Sequence, residues 1–223
     1  MAKTQPEKHR VLIVEDHPLF REGLRQMIDR DAALSVCGQA ADAVTAMRAA
    51  AELKPDLVLV DISLEGSNGI DLIKSLKAKY DELPILVISM HNESLYAERA
   101  LRAGALGYVM KSESTRTVKA AIFKALEGEI FLSKKMSGSV LAKLMRGKPE
   151  SPPSPIDQLS DRELEVFQML GEGKSTRQIA EDLDLTIPTI HSFRNRIKEK
   201  LQLQNSTELL LHAMQWVREH LAE

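Results

Sequence analysis

Three carboxylates, a hydroxyl and an ammonium stand where short apolar runs end. Glu15 and Asp16 close VLIVED, Asp61 closes DLVLVD, Ser89 closes PILVIS and Lys111 follows GYVM. Carboxylates crowded onto one rim repel and raise each other's pKa unless a hard cation sits among them. An oxygen cluster with open positions suits Mg2+, which binds through one or two carboxylates plus phosphate oxygens and water. With an ammonium beside it, the set is a candidate for phosphoryl transfer. The bland alternative, solvated charges at strand ends, requires four separate ends to carry these types by chance. His17 and His91 border the rim, yet neither has metal-ligand spacing to another His or Cys, so both read as loop residues.

The rim exists only if the runs lie side by side. Five β-branched runs, 11–16, 34–40, 56–61, 84–89 and 107–111, alternate with stretches of helical period. In one of these, PLFREGLRQMID, Leu19, Phe20, Leu24, Met27 and Ile28 fall on one face. Strands alternating with helices make βαβ units, and the pattern predicts an α/β fold: a flavodoxin-like, doubly wound, five-stranded parallel sheet covered on both faces. In such a sheet the first, third, fourth and fifth strands are neighbours, and ligands gather outside their carboxyl ends.

The pattern breaks at KPESPPSPID, residues 148–157, which reads as a linker preceded by a helical tether over 128–147. Beyond it the period is 3.6 throughout. Ser160 with Glu163, Ser175 with Gln178 and Asn205 with Glu208 have capping-box spacing, and Thr186 is a fourth N-cap. The expected organisation is an α/β domain over 9–127, tether and linker over 128–155, and an all-α four-helix domain over 156–220.

In the third of those helices Ile190, Phe193, Ile197 and Leu201 form a core-facing stripe. His191, Ser192, Asn195 and Arg196 lie on the far side, which a DNA major groove would meet. From Leu185 to Asn205 four basic residues (Arg194, Arg196, Lys198, Lys200) face one acid, Glu199, although 156–223 as a whole has eight basic and twelve acidic groups. Positive charge focused on one helix is the footprint of a recognition helix, and Thr189, Lys174 and Arg177 extend the candidate contact to the backbone of double-stranded DNA. The bland reading is a surface helix with snorkelling cations, Arg194 packing against its neighbour. On the last helix Leu209, Leu210, Ala213, Trp216 and Val217 make an apolar stripe for the core or for a dimer.

Composition limits the remaining classes. Among 223 residues, 43% hydrophobic and 28% charged residues exclude disorder for most of the chain, and a net charge of −2 offers no chain-wide attraction for a polyanion. A lone cysteine, Cys37, excludes an intrachain disulfide framework and a Cys-based zinc site. The start has too few apolar residues for a signal-peptide core, and no stretch approaches the ~20 needed to span a bilayer, so the expectation is a cytoplasmic protein with no membrane association.

VLIVEDHPLFREGL, LVLVDISLEGSNGIDLI, VISMHNE and GALGYVMK together resemble the receiver domain of bacterial two-component response regulators. LSDRELEVFQMLGEGKSTRQIAEDLDLTIPTIHSFRNRIKEKL resembles the LuxR-type helix-turn-helix that ends the NarL/FixJ subfamily. The resemblance implies that Asp61 accepts a phosphoryl group from a sensor histidine kinase. Asp16, Asp61 and the backbone carbonyl of Ser63 would hold Mg2+, with Glu15 acting through water. Lys111 would pair with phosphoryl oxygens, Ser89 would hydrogen-bond to one of them, and Tyr108 would swing inward behind it. It further implies a homodimer when active and no enzymatic role beyond self-phosphorylation and slow self-dephosphorylation. Glu65, Asn68 and Met90 depart from the commonest receiver residues, and bulky Met90 bears on phosphoryl lifetime. Phe193 replaces a frequent His of LuxR-type helices.

Alternatives of other classes fit less well. A flavodoxin-like cofactor binder would offer hydroxyls and amides where Glu15 and Asp16 would repel phosphate. A phosphatase-like hydrolase would want its Asp nucleophile and a second acid two residues apart at the first strand, which EDHP does not supply. A pseudo-receiver, controlling DNA binding through protein contacts without phosphorylation, is the nearest alternative.

Overall fold

The computed structural model describes residues 8–64, 66–134, 136–138 and 155–221. The chain divides into two compact units, Met1–Leu141 and Ala142–Glu223.

In the first unit the strands are β1 (His9–Val14), β2 (Leu34–Ala40), β3 (Leu57–Val60), β6 (Ile85–Ser89) and β7 (Gly107–Met110). They pair in parallel in the order β2-β1-β3-β6-β7. Val11–Val14, Leu57–Val60 and Ile85–Ser89 are wholly buried, as a sheet covered on both faces requires. The covering helices are α1 (Pro18–Asp29), α2 (Ala43–Leu53), α3 (Gly69–Lys79), α4 (Glu93–Arg102) and α5 (Thr115–Leu126). Each start follows from local chemistry. Asp42, Asn68, Asn92 and Ser114 accept N–H bonds from the first turns of α2 to α5, whereas α1 begins with Pro18, which has no N–H to satisfy.

Two expectations need correction here. Leu19 is 87% exposed, while Leu24 and Ile28 are buried and Phe20 and Met27 partly so; at about 100° per residue the other four share a stripe roughly 100° wide, and Leu19 lies about 80° outside it. The stretch after α5 is not helical from its start. Gly128 adopts φ +78°, ending the helix, and 129–133 is not helical, with Phe131 bridging to Gly107 and its carbonyl accepting the Tyr108 N–H at 3.0 Å. The edge strand β7 offers backbone groups that this segment pairs, which a helix could not do. The rest of the tether from 139, the Pro-rich linker to 154 and Glu65 lie outside the described residues.

Between β3 and α3 a two-residue hairpin, β4 (Ser63–Leu64) and β5 (Ser67–Asn68), shapes the loop after Asp61. Gly69 follows it because a Cβ there would collide with the Asp61 carbonyl oxygen.

The second unit is helical: a 3-10 turn (Pro155–Gln158), then α6 (Asp161–Gly171), α7 (Thr176–Asp182), α8 (Ile187–Lys200) and α9 (Ser206–Leu221). Ser160 and Ser175 form reciprocal capping boxes with Glu163 and Gln178, Thr186 caps α8, and the Asn205 side chain accepts the Thr207 and Glu208 N–H groups. Leu164, Phe167, Ile179, Ile190, Ile197, Leu209, Ala213 and Trp216 fill the core, with Trp216 edge-on to Phe167 at 5.6 Å. Trp216 therefore belongs to packing. The outward apolar residues of α9 are Leu210, Leu211 and Met214.

Candidate functional site

β1 and β3 run in register, Val14 beside Val60, so the residues that follow them emerge together, and the Asp61 N–H donates to the Val14 carbonyl at 2.9 Å. Lys111 arrives from the end of β7, its N–H donating to the Ser89 carbonyl at 2.8 Å. Its Nζ lies 2.7 Å from Glu15 Oε2 and 2.8 Å from Asp61 Oδ2. The same ammonium sits over the Phe20 ring, 4.5 Å from its centroid, an aromatic contact that sequence reasoning missed because Phe20 reads as ordinary core.

The charge balance is deficient in cations. Burial, then the neighbouring Asp61, pushes the Glu15 carboxyl above its ordinary value, with Lys111 only partly opposing. Burial works against the charge on Lys111, but the two carboxylates outweigh it and hold its pKa high. Asp61 is 2% exposed, and its Oδ1 has no hydrogen-bond partner, whereas Asp16 Oδ1 has the His17 imidazole 2.7 Å away. An orphaned buried carboxylate oxygen costs free energy that a bound cation would recover. Glu15, Asp16, His17 and Asp61 each present a ligand atom within 4.8 Å of the others. The acidic pocket fits a metal ion, and His17, read from sequence as a loop residue, is part of it.

Around this centre lies a second layer. Ser89 is fully buried at the end of β6. Its Oγ accepts the His91 N–H at 3.3 Å, and the Tyr108 hydroxyl donates to the His91 carbonyl at 2.8 Å. Tyr108 is itself buried, which pushes its phenol well above the ordinary value. The inward position that the resemblance assigns to a phosphorylated receiver is thus one the ring holds with Asp61 unmodified. Ser63 Oγ and His91 Nε2 lie 2.7 Å apart, joining the loop after β3 to the loop after β6. Met90 is largely exposed rather than folded over the carboxylates.

In the helical unit α8 buries Ile190 and Ile197, leaves Phe193 half-buried, and exposes His191, Ser192, Asn195 and Arg196 on one face. Ser192 Oγ donates to the Pro188 carbonyl at 3.1 Å, and Arg196 lies over the Phe193 ring at 5.7 Å. Lys198 is half-buried. Thr189 closes the helix start, its hydroxyl 2.8 Å from that of Thr186. Lys174 pairs with Asp182 and Arg177 with Glu181, both at 2.9 Å, so phosphate contacts by these two would exchange one anion for another. Arg194 donates to Thr176 Oγ1 at 2.6 Å, a packing role. Lys200, counted above with the basic helix, is 2.6 Å from Glu163 and is committed to the α6 cap.

Comparisons with known proteins match a different family to each of the two units. Residues 11–123 match the response regulator receiver domain, and residues 157–213 match the bacterial regulatory proteins of the LuxR family. The transcriptional regulatory protein LiaR of Bacillus subtilis is 32% identical over 204 residues, covering 92% of this chain and 96% of its own. RcsB of Salmonella enterica serovar Typhimurium, solved on the promoter P1flhDC with the phosphomimetic BeF3-, superposes with a TM-score of 0.56 at 26% identity, covering 92% of this chain and 97% of its own. A further RcsB structure, of two dimers bound to two parallel DNAs, gives a TM-score of 0.55 at 26% identity, with coverage of 92% and 97%.

Proposed function

Because this chain belongs to the response regulators that join a receiver to a LuxR-family DNA-binding domain, and is thus a DNA-binding transcription regulator of the two-component class, we propose that a phosphoryl group carried on Asp61 controls it. The donor is a sensor histidine kinase. The observation that carries the reading is the Lys111 ammonium held between Glu15 and Asp61 while the second Asp61 oxygen is buried without a partner. A carboxylate oxygen of Asp61 is the nucleophile: it bonds to phosphorus as the phosphohistidine N–P bond breaks, and the imidazole nitrogen keeps the electron pair. Lys111 neutralises charge on the transferred oxygens, and buried Ser89 donates to one of them. Asp16, Asp61 and the Ser63 carbonyl would hold Mg2+, with Glu15 acting through water, and the ion would supply charge neutralisation during in-line transfer.

The division of labour is a receiver over 9–127, a connecting segment over 128–155 and a DNA-binding domain over 156–220. Ser192 and Asn195 face bases, His191 and Thr189 flank them, and Arg196, Lys198, Lys174 and Arg177 meet phosphates. Phosphorylation shifts the population of receiver states through Ser89, His91 and Tyr108, and the product is a homodimer reading two half-sites. The exposed Leu210, Leu211 and Met214 of α9 and the likeness to RcsB, solved as dimers on DNA, support pairing. No helix among the described residues is long and apolar enough to cross a membrane, and the cytoplasm, where kinase and DNA are available, is the proposed site of action.

The test is labelling with acetyl phosphate and Mg2+, followed by DNA binding. Label should vanish in Asp61→Asn and with chelator, and phosphorylated protein should bind a two-half-site operator more tightly. Equal labelling at another residue, or equal binding before and after phosphorylation, would favour the pseudo-receiver instead.

A further inference from the structure

Among the described residues that present a ligand atom to the acidic pocket, His17 alone brings an imidazole nitrogen. Its Nδ1 lies 2.7 Å from Asp16 Oδ1 and 3.2 Å from Glu15 Oε1. Ligands about 2.1 Å from an octahedral cation stand about 3.0 Å apart when adjacent and about 4.2 Å apart when opposite. The His17 distances match adjacent positions, and the whole set lies within 4.8 Å. The contacts of the imidazole are with the pocket's own carboxylates, Glu15 and Asp16. His17 is the N-cap of α1 but its side chain makes no capping bond and is 65% exposed, and the backbone N–H donates at 3.0 Å to the same Glu15 Oε1 that the ring approaches. Independently, Asp61 Oδ1 is buried in the same pocket without a partner.

We propose that His17 is a nitrogen ligand of the pocket's cation and biases the site toward divalent transition metals over Mg2+. Carboxylate and water ligands alone suit Mg2+, whereas imidazole adds affinity for softer ions along the series from Mn2+ to Zn2+ and little for Mg2+. The inference rests on the carboxylate cluster being a cation site, and it adds which ions that site prefers and through which atom.

The experiment is pulsed electron paramagnetic resonance on the full-length chain loaded with Mn2+, which detects nitrogen bonded to the ion. Imidazole nitrogen coupling is expected in the unaltered chain and in His91→Gln, and its loss in His17→Gln. In parallel titrations, His17→Gln should weaken Mn2+ by at least about tenfold, the lower end of what losing even a group that only orients a ligand costs. Mg2+ should change by less than about threefold, since an imidazole contributes little to its binding. Because the His17 ring caps nothing, the variant should keep its melting temperature in chelator. Mn2+ bound without nitrogen coupling, coupling that persists in His17→Gln, or equal weakening of both ions would overturn the His17 assignment and leave the cation site standing. Failure of Mn2+ and Mg2+ to bind at all would overturn both.

Discussion

Replacing Asp61 by Asn is expected to stabilise the α/β unit even as it abolishes phosphorylation. At an effective dielectric constant of about 20, charges 4.8 Å apart repel by about 3 kcal/mol and a pair at 2.8 Å attracts by about 6 kcal/mol. Repulsion from Glu15 and Asp16 thus roughly cancels attraction to Lys111, and desolvation decides the sign. With Oδ1 buried and unpartnered, removing the charge and providing an amide that can donate to a neighbouring carboxylate is worth about 1–2 kcal/mol. That corresponds to a rise of about 2–8 °C in melting temperature per kcal/mol. Lys111 keeps its partner Glu15 at 2.7 Å. The pH dependence follows. Burial first, and Asp61 second, raise the Glu15 carboxyl above 4.5, so the native chain retains a proton that the unfolded chain has released. Stability therefore falls as pH rises from 4.5 through the raised value, and in Asp61→Asn, with the second cause removed, the fall flattens. Excess Mg2+ should reverse the ranking, adding about 2.7 kcal/mol to the unaltered chain at a hundredfold over its Kd and less to the variant. Urea denaturation across pH, with chelator or with Mg2+, measures all three. An Asp61→Asn chain less stable in chelator by about 1 kcal/mol or more would show that the Lys111 attraction dominates and would refute the account of the pocket as short of cations.

Further outcomes are specific to single side chains. Lys198→Ala should weaken binding to all DNA sequences and lower the salt slope by ~0.9, as for one lost phosphate contact. Asn195→Ala should change preference at one base position by about 1–3 kcal/mol, and equal losses on specific and random DNA would reject its reading role. In the helical unit, burial works to raise the Glu163 carboxyl, but Lys200 and Ser160 outweigh it and hold it below 4.5. The stability so gained should be present above pH 4.5 and lost as pH falls through the native value, and circular dichroism should show that acid step shrink in Lys200→Met. Ser160→Ala should cost about 1 kcal/mol through the lost cap, read in the same titration at neutral pH. Leu211→Glu should leave the helical fold intact, since that side chain is 62% exposed, while lowering affinity for paired half-sites, by gel shift, more than for a single half-site.

Much of this molecule is legible in one dimension, because the information is periodic or local. β-branched runs bounded by acids and separated by amphipathic stretches admit one economical arrangement, a parallel sheet, and that arrangement puts Glu15, Asp16, Asp61, Ser89 and Lys111 on one edge whatever the loops do. The caps at Ser160, Ser175 and Thr186 involve partners three residues away, so side-chain type and spacing suffice. What tertiary structure decided are contacts between residues far apart in the chain, for which no spacing rule exists. Phe20 meets Lys111 and His91 meets Ser63 across loops. Lys200, by charge alone a phosphate contact, is claimed by Glu163 thirty-seven residues earlier. Residues 129–133 forgo a helix because an edge strand offers backbone partners that local propensity cannot anticipate. Trp216 and Leu211 belong to the same amphipathic helix, and only packing against Phe167 determines which of them is core. Periodicity shows that a helix has an apolar side, but the position of its neighbours decides how much of that side is covered.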